Sequence, residues 1–148
     1  MIRNVFLIAV FALCSLNIYA QKVDFKSDID SMTPLAYEPR FGLSDFSLDM
    51  RNDSAFVHLP YIGEVYTPTL NNDGLNFEVP CEKLSVKSTK KKDGKIVKFS
   101  LKRDIVTYDF TVTLWDGNRI DVFMQPSNAQ SCSYSGQWES TSKKEKEK

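Results

Sequence analysis

Few residues in this chain are equipped for reaction chemistry, and each has a plainer use. His58 is the one histidine. A zinc site needs further N, S or O ligands at set spacings, and none stands near it in the sequence. A histidine general base needs a nucleophile to activate, and no Gly-x-Ser-x-Gly elbow occurs. Between Val57 and Leu59, His58 reads as a strand-face residue. Asp24, Asp28, Asp30, Asp45 and Asp49 could offer oxygen ligands, but they lack the Asp-x-Asp-x-Asp-Gly loop of a calcium site. They read as the wet faces of strands. No glycine-rich phosphate loop is present. The expectation is a protein without catalysis, metal or cofactor.

Three other groups remain. Lys83, Lys87, Lys90, Lys91, Lys92, Lys95 and Lys98 crowd one hairpin, where they could meet phosphates or simply blunt an exposed sheet edge. Cys81 and Cys132 could form a disulfide that closes a loop of about fifty residues, for roughly 4 kcal/mol on the entropy model. Two cysteines do not by themselves establish a pair. Finally, Leu59-Pro60-Tyr61-Ile62-Gly63, with Tyr66 beyond, has the build of a corner. Pro60 lacks a ladder donor, and Gly63 permits a backbone angle that other residues resist. Tyr61 and Tyr66 would then fold back as amphipathic covers, each hydroxyl needing a partner. A ligand mouth belongs here if the protein has one.

The elements that must position these residues are strands. In Val106–Leu114, Val106, Tyr108, Phe110, Val112 and Leu114 share one face, while Thr107, Asp109, Thr111 and Thr113 share the other. Asp116-Gly117 follows, then Asn118 to Gln125 with Ile120, Val122 and Met124 aligned, which predicts a central hairpin. The same alternation marks Val23 to Ile29, Phe46 to Met50, Ser54 to Leu59 and Leu75 to Val79. It returns in Leu84 with Val86, in Val97 to Leu101 and in Cys132 to Trp138. Asn52-Asp53, Asn71 to Gly74 and Lys92 to Gly94 read as turns, and Asp30 to Arg40, with Pro34 and Pro39, as an irregular crossing. No window keeps a helical period for three turns. An all-β antiparallel barrel or strongly curved sheet of about eight to ten strands follows.

At the amino end, Arg3 precedes an apolar run from Val5 to Leu16 that closes on Ile18-Tyr19-Ala20. This is the build of a signal peptide cut between Ala20 and Gln21. The run is shorter than the roughly 20 residues a bilayer span needs. The expected organisation is a signal over residues 1–20, one domain over 21–139 and a lysine-rich disordered tail over 140–148. Cleavage removes Arg3 and Cys14, leaving 18 basic against 19 acidic residues, a net of −1. Such balance argues against a nucleic-acid partner, and the expected location is periplasmic or extracellular.

Asp53 to Tyr66, taken with Gly74-Leu75-Asn76-Phe77-Glu78 and Ser133-Tyr134-Ser135-Gly136, resembles a family of secreted proteins of unknown function from Bacteroidales-type bacteria. The family carries a Leu-Pro-Tyr-x-Gly core, and the resemblance implies a lipocalin-like barrel. This chain departs from it at Ile62, where an aromatic is usual, at Glu64, where a basic residue is, and at Asn128-Ala129, where Arg follows Asn. No activity comes with the resemblance. The expected function is a binding module for an apolar or amphipathic molecule; the alternative is a solid-cored structural or interaction protein of the cell envelope. Tyr108, Phe110, Phe99, Phe77 and Trp138 could fill a small barrel unaided.

Overall fold

The computed structural model describes residues 22–66 and 75–141. Nine antiparallel strands follow in chain order: β1 (Phe25–Pro34), β2 (Arg40–Arg51), β3 (Ser54–Leu59), β4 (Leu75–Pro80), β5 (Glu82–Ser88), β6 (Gly94–Arg103), β7 (Val106–Trp115), β8 (Arg119–Pro126) and β9 (Cys132–Ser140). They form one sheet in the order β4-β3-β2-β1-β9-β8-β7-β6-β5. The first and last strands, β1 and β9, pair at its middle, so the β7–β8 hairpin lies to one side rather than centrally.

The sheet curls into a nearly closed barrel, as the alternation requires. Its two edge strands, β4 and β5, are consecutive in the chain and separated by Cys81 alone. The run 75–88 pairs with β3 in its first half and with β6 in its second. Pro80, which cannot donate to a ladder, marks the change of partner. Across the seam the Phe77 ring meets Tyr108 at 5.4 Å, and the Arg103 guanidinium lies over the Phe77 ring at 5.1 Å.

Inward residues make one core. Phe25, Ile29, Leu48, Val57, Leu101, Phe110 and Ile120 are all buried, and Phe99 stacks on Phe110 at 5.2 Å. Alternating burial in β8 and β9 follows the expected period of two.

Three expectations are revised. The crossing expected from Asp30 to Arg40 shrinks to residues 35–39, because a register shift between Ile29 and Ser31 lets β1 continue inward through Met32 and Pro34. The Asp116-Gly117 turn uses three residues: Asn118, not the glycine, takes the left-handed angle (φ 64°). Ser140 pairs with Phe25 inside β9, whereas the tail was expected to begin there. The signal segment with its Ala20–Gln21 cut, the turn at Asn71 to Gly74 and the tail beyond Thr141 lie outside the described residues.

Candidate functional site

β3 and β4 are paired neighbours, with Leu59 opposite Leu75, yet fifteen residues (60–74) connect them. Connections between adjacent antiparallel strands usually take 2–5 residues; longer excursions with adjoining ends are commonly functional. The described part, residues 60–66, crosses one end of the barrel to the β8–β9 turn. Counting round the wall, β3, β2, β1, β9 and β8 stand in order, so this strap reaches the opposite side.

Five hydrogen bonds hold it there. Tyr61 donates its hydroxyl to the Gln130 carbonyl (2.7 Å), and Tyr134 of β9 donates to the Pro60 carbonyl (2.8 Å). Glu64 N–H donates to Gln130 Oε1 (3.1 Å), Gln130 N–H to the Glu64 carbonyl (3.0 Å) and Tyr66 N–H to the Asn128 carbonyl (2.7 Å). A single bridge joins Val65 to Ala129. Each tyrosine hydroxyl thus satisfies a carbonyl that strand pairing leaves free.

The motif residues therefore assemble, though not as a tight corner. Leu59 is buried as the last residue of β3, Pro60 ends the pairing, and Tyr61 tucks under the strap beside Ile62. Gly63 does not take a positive φ. It is needed for room: a Cβ there would lie 2.7 Å from Tyr61 Cζ. Tyr66 does not fold back as a cover; its side chain is 62% exposed.

Beneath the strap sit phenols and a thiol in a dry setting. Burial pushes the Tyr61 phenol up to about 12, with Cys132, Tyr66 and Tyr108 adding to the rise. Burial likewise raises Tyr134 well beyond the ordinary phenol range and raises the Cys132 thiol. All stay protonated near neutral pH, so the cluster offers hydrogen bonds rather than nucleophiles.

The Cys81–Cys132 disulfide is not formed, and both thiols are free. Topology explains this. β9 is four strand steps from β4 in one direction and four from β5 in the other, which puts the two cysteines on opposite walls. A disulfide needs Cα atoms within about 7 Å. Cys81 instead donates its N–H to the Asp53 carbonyl (2.8 Å), and burial pushes its thiol up to about 11.

Three of the remaining candidates, His58, Asp49 and Asp24, have structural partners. His58 stacks on Phe46 at 5.4 Å. Asp49 accepts the Ser27 N–H (2.9 Å), and Asp24 accepts the Asn52 N–H (3.1 Å). Among the described residues no three His, Cys, Asp or Glu side chains gather in a metal-binding group. A groove of about 230 Å³ lies along β1 and β9, lined by Lys26, Asp28, Gln137 and Trp138. It is smaller than the ~300 Å³ at which ligand pockets begin.

Chain-wide patterning did not single out Gln130, which makes three of the five strap hydrogen bonds, or the apolar loop tips around it. Leu35, Tyr37, Phe41, Val65, Tyr66 and Ile105 are six of the seven exposed large hydrophobic residues among the described residues. All six lie in or beside the 35–39, 60–66 and 104–105 connections at the strapped end; the seventh, Phe123, is on the outer wall. Large apolar residues at turn positions, where polar ones are usual, were the available signal.

A family model described as a domain of unknown function (DUF4251) matches residues 17–138. The chain belongs to that family. The DUF4251 match spans all of β1 to β8 and nearly all of β9, so the barrel is the family's domain. It includes the strap and both of its tyrosine anchors. No curated protein matches the chain.

Proposed function

We propose that this protein is an exported, non-enzymatic binding module of the cell envelope that takes an apolar or amphipathic molecule at the strapped end of its barrel. One observation carries the reading: among the described residues, six of the seven exposed large hydrophobic residues gather around that end. Exposed apolar side chains concentrated at one end of a domain point to a binding surface more than singly scattered ones do. The apolar part of a ligand would lie on Leu35, Phe41, Val65 and Ile105. Its polar end would meet the half-buried Tyr61 hydroxyl, whose lone pairs can still accept. The Bacteroidales-type affiliation and periplasmic or extracellular location implied by the resemblance belong to this reading.

The second reading, a structural or interaction protein with a solid core, is favoured by the packed interior, whose single core cluster includes Phe110, Leu101 and Ile120. Mass spectrometry of lipids and metabolites that copurify with the native exported protein separates the two. The binding reading expects one ligand class in near-stoichiometric amount, lost in a Val65→Ser/Ile105→Ser variant that melts normally. Absence of bound material from both proteins overturns it.

A further inference from the structure

The other end of the barrel carries the opposite chemistry. The β5–β6 hairpin holds Lys83, Lys87, Lys90, Lys91, Lys92, Lys95 and Lys98, all exposed. Asp93 is the one acidic residue between the first and last of them, and it is engaged by Thr89, whose Oγ1 donates to its Oδ1 (2.6 Å). None of the seven lysines takes part in an ion pair among the described residues.

Edge protection accounts for lysines on β5, but not for those in the turn. Backbone geometry adds a second observation. Among the described residues, seven other than glycine have a positive φ: Asp45, Asn52, Asp53, Lys83, Lys92, Asp104 and Asn118. Five are Asp or Asn, the types that tolerate this region best. The two exceptions are both lysines of this hairpin. Lysine thus occupies two positions where the backbone favours a shorter side chain, adding charge at a conformational cost.

We infer that the β5–β6 hairpin is an electrostatic anchor for a bilayer surface rich in anionic phospholipid. Its cations are all lysines, point charges suited to a diffuse layer of headgroups rather than to paired recognition of one phosphate. No exposed large hydrophobic residue lies on the hairpin, so it rests at the headgroups without inserting. It also offers no exposed aromatic on which bases could stack, which disfavours a nucleic acid. The rigid turn, closed by Thr89 N–H to the Gly94 carbonyl (3.1 Å) and Lys92 N–H to the Thr89 carbonyl (3.0 Å), holds Lys90, Lys91 and Lys92 outward together.

Sedimentation with vesicles tests this. The exported protein should pellet with vesicles of equal parts phosphatidylglycerol and phosphatidylcholine, release at high salt, and remain free with phosphatidylcholine alone. A Lys90→Gln/Lys91→Gln/Lys92→Asn variant, in which asparagine suits the left-handed position, should melt normally and bind about 100-fold more weakly, at roughly fivefold per lysine. Lys22→Gln/Lys26→Gln, with charge removed elsewhere, should bind as the parent does. Equal retention by phosphatidylcholine, an unchanged triple variant, or equal loss in both variants overturns the inference. So does retention by single-stranded nucleic acid without retention by the anionic vesicles.

Discussion

Gly63 and Tyr61 act as a pair. The glycine exists for the ring above it, so Gly63→Ala should cost about 1–3 kcal/mol through overpacking. In a Tyr61→Ala background the same change should cost almost nothing, and a double-mutant cycle in urea reads the difference. Equal costs in both backgrounds would mean that Gly63 serves its own backbone. Tyr61→Phe removes one hydroxyl bond and should lower stability by about 1 kcal/mol. The raised Tyr61 phenol also has a pH consequence. Above pH 10 the unfolded chain loses the phenolic proton while the folded chain keeps it up to about 12. The contribution is therefore complete below 10 and declines as pH rises towards 12. Ultraviolet titration should show Tyr61 and Tyr134 ionising above the ordinary phenol range. At this scale the sequence was half legible. Pro60 ending a strand could be read from its missing donor, but the partner of Tyr61 is 69 residues away and nothing local points to it.

Strands were the most readable elements, because one buried face forces an alternation that survives in the residue order. Irregularities were less so. The shift between Ile29 and Ser31 depends on Gly136 across the ladder, where β1 approaches too closely for any side chain. A Cβ on Gly136 would come within 2.9 Å of the Ile29 Cα. Both groups are backbone in the middle of a sheet, so neither can swing aside. Gly136→Ala should cost about 3 kcal/mol, more than Gly63→Ala, and calorimetry should show the lower melting temperature. A change no larger than that of Gly63→Ala would mean that β1 relaxes freely at its bulge. Ser27, inward and buried, also looked like an ordinary strand residue. Its hydroxyl donates to the Leu48 carbonyl (2.7 Å) and accepts the Leu48 N–H (2.9 Å), replacing a ladder step that the backbone omits.

Over the whole molecule, stability should grade from seam to centre. β4 and β5 each have one hydrogen-bonded neighbour, whereas β1 and β9 lie between two. Hydrogen exchange should therefore be fastest in 75–88 and slowest in β9, a gradient that uniform protection would refute. Barrel closure was legible as an expectation from many short strands with edges to hide. Which strands would meet was not, since pairing across more than a hundred residues leaves no mark on local pattern. That pairing bears on how the protein is made. β1 is synthesised early but lacks one of its two neighbours until the last strand has left the ribosome. Before β9 is made, the pairings open to the chain are those within β1 to β4 and within β5 to β8, and the wall between β1 and β8 stays open. Long-range closure of this kind is slow. A chain of this topology therefore cannot seal its barrel before its last strand is made, and any truncation that removes β9 leaves β1 and β8 as two open edges.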